Sequence, residues 1–530
     1  MLFSSFEFIF VYLPITATVF WLIAKAKFRN AHFIGIAWLV LASLFFYAWW
    51  NPNNLWLILF SIAFNYLVGL ALNRSDRPQT QRKLALWAGI LTNLLLLGHF
   101  KYLNFFIDNL NSLFNLGLNV EDKILPLAIS FFTFQQIGYL VDTYKQETKD
   151  YKFLEYLLFV SFFPQLIAGP IVHHKQLIPQ FAKQNLAQLN SHNLAVGITI
   201  FSLGFFKKII IADTIAAPAN AIFSSAADGT LLDFFSAWTG ALAYTLQLYF
   251  DFSGYSDMAI GAAYLLGIQL PINFNSPYKA SGISDFWRRW HITLSNFLRD
   301  YLYIPLGGNR KGQLRQSINL MTTMLLGGLW HGAGWTFVIW GALHGTYLVI
   351  NSQWNAFRKQ NGTNSEADSW LVKRSAQLLT FSAVVVGWVF FRAQDTSTAI
   401  AILQSMAGNH GISIPAGIAE QFGPLQTYLA LWNIPLSANS GREFIITWLQ
   451  IFTLLAIVWL APNTQTLVAA YLPAAKTNQL RATPSSQTNR SKLLTWRPTV
   501  THAIICGILL FFSTKAMLAA SESEFLYFNF

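Results

Sequence analysis

The residues best suited to chemistry in this chain lie at Leu326-Gly327-Gly328-Leu329-Trp330-His331-Gly332-Ala333-Gly334-Trp335. One imidazole stands there in a glycine-rich break between two apolar runs, 317–329 and 334–351. An ionisable side chain among apolar helices costs free energy, which makes it a functional candidate by default, facing a protein interior or cavity. Gly327, Gly328, Gly332 and Gly334 let the backbone bend and a ligand approach closely. A buried neutral imidazole within reach of a hydroxyl can take its proton, a contribution of ~10²- to 10⁴-fold to an acyl transfer. Run 317–329 spans roughly 20 Å, short of the hydrocarbon core, so the break at His331 is expected inside the membrane. His344 lies 13 residues further on, about 20 Å along a straight helix, too far for a partner.

A second constellation runs from Asp285-Phe286-Trp287-Arg288-Arg289-Trp290-His291 through Ser295 and Arg299-Asp300 to Arg310. Its Trp and Arg content fits an interfacial helix, with indoles at headgroup level and guanidiniums toward water or lipid phosphate. The functional alternative is that Arg288, Arg289 and Arg299 bind the phosphates of a cytoplasmic acyl donor, because guanidinium suits bidentate phosphate contacts. His291, three residues after Arg288, shares its helix face. A third constellation, Tyr249-Phe250-Asp251-Phe252-Ser253-Gly254-Tyr255-Ser256-Asp257, reads either as a helix-capping turn or as a polar cavity wall that orients a histidine. A zinc site from His173, His174, His291 and His331 lacks any ligand spacing, so no metal is expected. Cys506 stands alone, which excludes an intrachain disulfide and a cysteine metal site; it also lacks any nucleophile motif.

These residues must be held by membrane helices. The 530 residues are 54% hydrophobic, 16% aromatic and 11% charged, with a mean hydropathy of +0.41, too apolar for one soluble globule. Runs of about 18 or more apolar residues recur from residue 3 to 518, and lipid leaves helices as the way to pair the backbone. The net charge of +12 sits in short loops and forms no basic domain, so it argues for membrane orientation and against nucleic acid. Lys25, Lys27 and Arg29 follow the first run, which is read as uncleaved with its N-terminus outside. Spans are expected at 3–24, 33–50, 55–72, 84–102 and 125–142, with 103–122 as an acidic outer loop. Counting back from the basic stretch 472–498 gives spans 499–518, 444–461, 375–392 and 334–351, and an extracytoplasmic loop with short helices at 394–443. Both counts put 279–315 on the cytoplasmic face. Between them, runs 153–173, 193–211, 232–250 and 257–270 supply the required even number of crossings, some as re-entrant or tilted pieces around a cavity. The expected fold is all-α, a polytopic bundle of about 11–13 spans plus re-entrant or interfacial helices around a central channel. It forms one membrane-embedded domain over 1–530: N-terminal spans to 152, a catalytic core at 153–351, and C-terminal spans from 352. There is no internal repeat.

The chain resembles the membrane-bound O-acyltransferases, in particular the bacterial alginate O-acetylation branch. The resemblance rests on His99-Phe100-Lys101-Tyr102, Ile129 to Gln135, Phe163 to Ile171, Phe205-Phe206-Lys207-Lys208 and Asp251 to Asp257. It is densest from Asn273-Phe274-Asn275-Ser276-Pro277-Tyr278 through His291 to Gly308, then at Leu329 to Ala333 and Trp388 to Ala393. The resemblance implies that His331 is the catalytic histidine and His291 a second functional one, along a channel that crosses the membrane. Asp251, Ser253, Tyr255, Asp257, Asn275 and Trp330 are placed on the cavity wall. His173-His174 replace an Arg or another residue of the family and receive no role.

The resemblance further implies a bacterial, multi-pass protein of the cell (inner) membrane with no bound cofactor. It would move an acyl group, acetyl here, from cytoplasmic acetyl-CoA or an acyl-carrier thioester to an extracytoplasmic polysaccharide, with an extracytoplasmic acetyltransferase as partner and lipid around it. Rival readings are D-alanyl or lipid acyl transfer within the same superfamily and, from another class, a transporter or flippase. Paired inverted repeats, expected of such transporters, are missing from the sequence.

Overall fold

Apolar runs that find no hydrogen-bond partner in lipid close their backbones on themselves, and the computed structural model is accordingly helical nearly throughout. It describes the chain except residues 27–28, 75, 122–123, 149–150, 168, 184–185, 187–189, 363–367, 422–428, 430, 432–434, 438–440, 472–495, 520–525 and 527–530. Most of the basic stretch 472–498 and of the tail therefore lies outside the described residues. The first helices are α1 (Leu13–Lys25), α2 (Ala31–Ala48), α3 (Leu55–Asn73), α4 (Gln79–Leu97), α5 (Leu103–Phe114) and α6 (Ile129–Tyr144). Three short pieces follow, α7 (Phe153–Ser161), α8 (Phe163–Leu166) and α9 (His174–Phe181). Next come α10 (Ser191–Phe206), α11 (Asp213–Ala227), α12 (Phe234–Leu265), α13 (Ile283–Trp287) and α14 (Ile292–Leu298). The last elements are α15 (Gly312–His331), α16 (Trp335–Gln360), α17 (Trp370–Arg392), α18 (Thr396–Met406), α19 (Ala416–Gln421) and the apolar helices Gly441–Leu460 and Val500–Ala519.

Among the described residues, eight helical segments are long and apolar enough to cross a membrane. The long helices α12, α15 and α16 are additional to these. The protein is thus an all-α, multi-pass membrane protein. Two of the eight segments, Gln79–Phe114 and Ser191–Ala227, join two helices through a wide π turn, at Gly98–Tyr102 and Lys207–Ala212.

Several expected boundaries are corrected. Runs 232–250 and 257–270 form one helix, α12, capped by Asp233, whose carboxylate accepts from the N–H groups of Phe235 and Ser236. The polar stretch between the runs does not break the helix because Asp251 and Asp257 find lysines on the neighbouring segment. Run 153–173 supplies only the short α7 and α8, which leaves two long segments between 191 and 265, Ser191–Ala227 and α12. Part of the expected outer loop 103–122 is helical, because α5 continues α4 to Phe114. The break at His331 follows a 20-residue helix that begins at Gly312, roughly 30 Å long, so the argument from a short run fails. Apolarity understates this helix because Gln313, Arg315 and Gln316 are good helix formers. Region 394–443 carries α18 and α19 and also a parallel pair of two-residue strands, Ile414–Pro415 with Leu436–Ser437.

Helices α15 and α16 form an antiparallel pair whose approach is set by glycine. A side-chain carbon at Gly328 would collide with the Phe337 carbonyl, and one at Gly341 with the Met324 carbonyl. Of the glycines around His331, Gly328 therefore serves helix packing, a use the sequence reading did not foresee. Gly332 in turn lies under the Phe337 ring.

Candidate functional site

His331 is the last residue of α15, and its side chain leans back toward the helix N-terminus, into the protein. It is 3% exposed. The imidazole is boxed by Trp330, Trp340 and Phe391 at ring-centroid distances of 4.9, 5.1 and 5.1 Å, with His291 at 6.5 Å. Trp340 also touches His344 at 4.7 Å, which limits the His331–His344 separation to about 10 Å. The 20 Å expected from residue count is corrected: the tight reversal at 332–334 folds α16 back along α15, so its tenth residue returns to the level of the His331 ring.

His291 is fully buried and precedes α14 in a left-handed backbone conformation, φ 41° and ψ 54°, which is uncommon and costly for a residue with a side chain. It is therefore not on one helix face with Arg288, because α13 ends at Trp287. The strained backbone is held from both sides: Ile292 N–H donates to the Asn273 carbonyl and Asn275 N–H to the Arg289 carbonyl. Asn273 Oδ1 accepts from Thr293 N–H and Thr293 Oγ1, which fixes it as the amide oxygen. His291 Nδ1, 3.1 Å away, must then carry the proton, and the Nε2 lone pair is left as the basic atom of the neutral ring.

A cavity of about 530 Å³ adjoins the pair, and its lining includes Phe134, Thr293, Asn296, Phe297 and Arg299. Phe134 stacks on Trp330, next to His331, and Thr293 shares Asn273 with His291, so each histidine is one residue removed from the cavity wall. On the same wall, the Asp142 carboxylate collects His173 Nε2 at 2.7 Å, His174 Nε2 at 3.0 Å and the Tyr301 hydroxyl at 2.9 Å. Burial pushes the His174 imidazole down to about 4, against the opposing pull of Asp142. Burial and the Asp142 carboxylate both raise the Tyr301 phenol.

Asp142, His173 and His174 have ligand atoms within 4.8 Å of one another, the one metal-compatible group among the described residues. However, His173 Nδ1 accepts from Lys175 N–H, which puts the ring proton on Nε2, the atom that faces Asp142. The cluster as built is a set of hydrogen-bond donors around one carboxylate. It does not include His291 or His331.

The remaining expected residues divide. Trp330 contacts both His331 and the wall residue Phe134. Arg299 lines the cavity and pairs with Asp300, whereas Arg289 pairs with Asp285 and Arg288 is largely exposed, neither of them among the lining residues. Asn275 accepts from Asn463. Helix α12 reaches the histidine site through Phe252, edge-on to His291 at 4.9 Å, whereas Asp251 pairs with Lys208 at 2.8 Å, Asp257 with Lys207 at 2.7 Å, and Tyr255 stacks on Phe3 at 4.6 Å. Ser253 is buried within α12. Sequence reasoning missed Asp142 and Lys101 as site-adjacent groups. Each is an ionisable residue at the end of an apolar run, the same signal that singled out His331.

Long apolar helices thus surround two buried imidazoles beside a polar cavity, the architecture of a polytopic membrane protein with an internal site. Residues 140–387 match the model of MBOAT, the membrane-bound O-acyltransferase family, and the chain belongs to that family. It is 42% identical to a peptidoglycan O-acetyltransferase of Helicobacter pylori over 100% of this chain and 98% of that protein. It is 38% identical to a probable alginate O-acetylase of Pseudomonas putida over 100% of both chains. A teichoic acid D-alanyltransferase of Streptococcus thermophilus shares 28% identity over 50% of this chain and 68% of that one.

Proposed function

We propose that the protein transfers an acetyl group from a cytoplasmic thioester, acetyl-CoA or an acyl carrier, to a hydroxyl of an extracytoplasmic polysaccharide in a bacterial inner membrane, directly or through an extracytoplasmic acetyltransferase. The observation that carries this reading is the pair His291 and His331, 6.5 Å apart between ring centroids and buried beside the 530 Å³ cavity. His331 takes the proton of the acceptor hydroxyl. The new C–O bond forms at the acyl carbon, the C–S bond breaks, and the thiolate leaves with the proton returned from the imidazole. A thiol of pKa near ~8.5 is a good leaving group, so the exchange is balanced without a further reactant. His291 offers its Nε2 lone pair to the same space. Arg299 contributes a cation to the donor side, and Asn296 Oδ1, buried and without a partner among the described residues, suits an amide N–H of a thioester arm.

The relatives named for alginate and peptidoglycan O-acetylation favour acetyl and polysaccharide over D-alanyl transfer, which is represented at lower identity and coverage. The test is label transfer from [14C]acetyl-CoA by the detergent-purified protein. Wild type should release free CoA, and His331→Ala, eluting as a single folded peak, should lose at least about 100-fold. Full activity in that variant, or movement of polymer without thioester consumption, would refute the proposal.

A further inference from the structure

The last four carbonyls of any α-helix lack donors within the helix. In α15 these belong to Gly328, Leu329, Trp330 and His331: the first keeps an ordinary i+4 donor from the cap residue, and the other three are supplied by a neighbouring segment. Gly332 N–H reaches the Gly328 carbonyl at 3.4 Å. The Tyr102 hydroxyl donates to the Leu329 carbonyl at 2.7 Å. Lys101 Nζ donates to the carbonyls of Trp330 at 2.6 Å and His331 at 3.1 Å, and to Ser130 Oγ at 3.3 Å. These are all three protons of an ammonium. A cation at a helix C-terminus also complements the helix dipole.

Lys101 and Tyr102 come from the wide turn Gly98–Tyr102 that joins α4 to α5. Such turns recur at functional positions because they displace side chains from the regular helical register. The lysine also lies 5.9 Å from the Trp330 ring, on the residue that links His331 to the cavity wall.

We propose that Lys101 and Tyr102 form a clamp that sets the position of His331: an ammonium and a phenol that terminate α15 from a neighbouring helix and hold its last residue against His291. Lys101 is a positioning residue, its three N–H groups directed at two carbonyls and one hydroxyl. Without it, two carbonyls next to His331 lose their donors, and the final turn relaxes toward other partners. A displacement of about 1 Å at a reacting group lowers a rate by about 100-fold.

The inference rests on His331 being the reacting base, so the experiment reads position and rate separately. Full-length Lys101→Met, Tyr102→Phe and His331→Ala are purified in detergent, assayed with [14C]acetyl-CoA, and compared by NMR of ring-labelled histidine, with the His331 resonance assigned as the one missing from His331→Ala. Lys101→Met should lower kcat about 30- to 100-fold, leave the KM for acetyl-CoA within about twofold, keep the pH profile of the parent, and move the His331 resonance. Tyr102→Phe, which removes one hydroxyl and keeps the ring, should lower kcat about fivefold and carries the test if Lys101→Met does not fold. The clamp is overturned if the His331 resonance stays at its parental position in a folded variant, or if the folded fraction turns over at the parental rate. A shifted pH profile would overturn it in favour of direct proton transfer by Lys101. If His331→Ala remains active, the catalytic reading falls, and the clamp is judged on the resonance alone.

Discussion

Two neighbouring histidines, His173 and His174, show how position decides what one side chain does. Both reach the same Asp142 oxygen, yet His174 is buried while His173 lines the cavity partly exposed. In the folded protein the His174 pKa lies near 4, below the ordinary 6.5, so the unfolded chain takes up a proton first as pH falls. Stability from this residue is complete above pH 6.5 and is lost as pH falls from 6.5 to about 4, by roughly 3 kcal/mol at most. Thermal melting of the parent and His174→Gln across that interval should show a steeper decline in the parent; parallel curves would contradict the assignment. At this scale an ionisable residue in an apolar run was a legible signal for full or partial burial, drawn on at His331 and passed over at Lys101 and Asp142. The sequence was silent on the proton of His291, because Asn273 is 18 positions away and only folding brings the amide to the ring.

At the scale of elements, Gly328 of α15 and Gly341 of α16 set how closely the two helices approach. Gly328→Ala sets a methyl group against the Phe337 carbonyl, a backbone atom that cannot rotate away. The substitution should cost about 2 kcal/mol of stability and also reduce turnover, because the helix that ends in His331 must shift outward. A melting midpoint and a rate equal to those of the parent would show that the two helices have slack. Helix α12 teaches a related lesson about boundaries. Asp251 and Asp257 read as interruptions of an apolar pattern, since a single sequence cannot show which lysine will meet them. In the structure they are the residues that let the helix continue. Run 153–173 is cut into the short pieces α7 and α8 near Pro164 and Pro170, because proline limits a run regardless of its partners.

Over the whole molecule, the alternation of loop charges asks for an even number of crossings between 153 and 279, whereas the runs there divide differently from the expectation. The partners of the Asp251 to Asp257 stretch were hidden because they join residues about 50 positions apart, Lys207 to Asp257 above all. Lys208 is 2% exposed and lies between Asp213 and Asp251, and Lys207 meets Asp257, so both lysines of the turn at Lys207–Ala212 are paired with carboxylates of α11 and α12. A lysine or aspartate alone at the centre of a spanning helix costs about 2.5 to 3.5 kcal/mol on insertion scales. On that scale the segment from Ser191 to Leu265 should enter a bilayer more readily as an ion-paired hairpin than one helix at a time, an order of biogenesis set by the pairs. Asp251→Asn with Asp257→Asn deprives the lysines of these partners, and glycosylation reporters in the 228–233 turn should show the hairpin failing to cross in a large share of chains; crossing as efficient as in the parent would mean that the pairs form only after insertion.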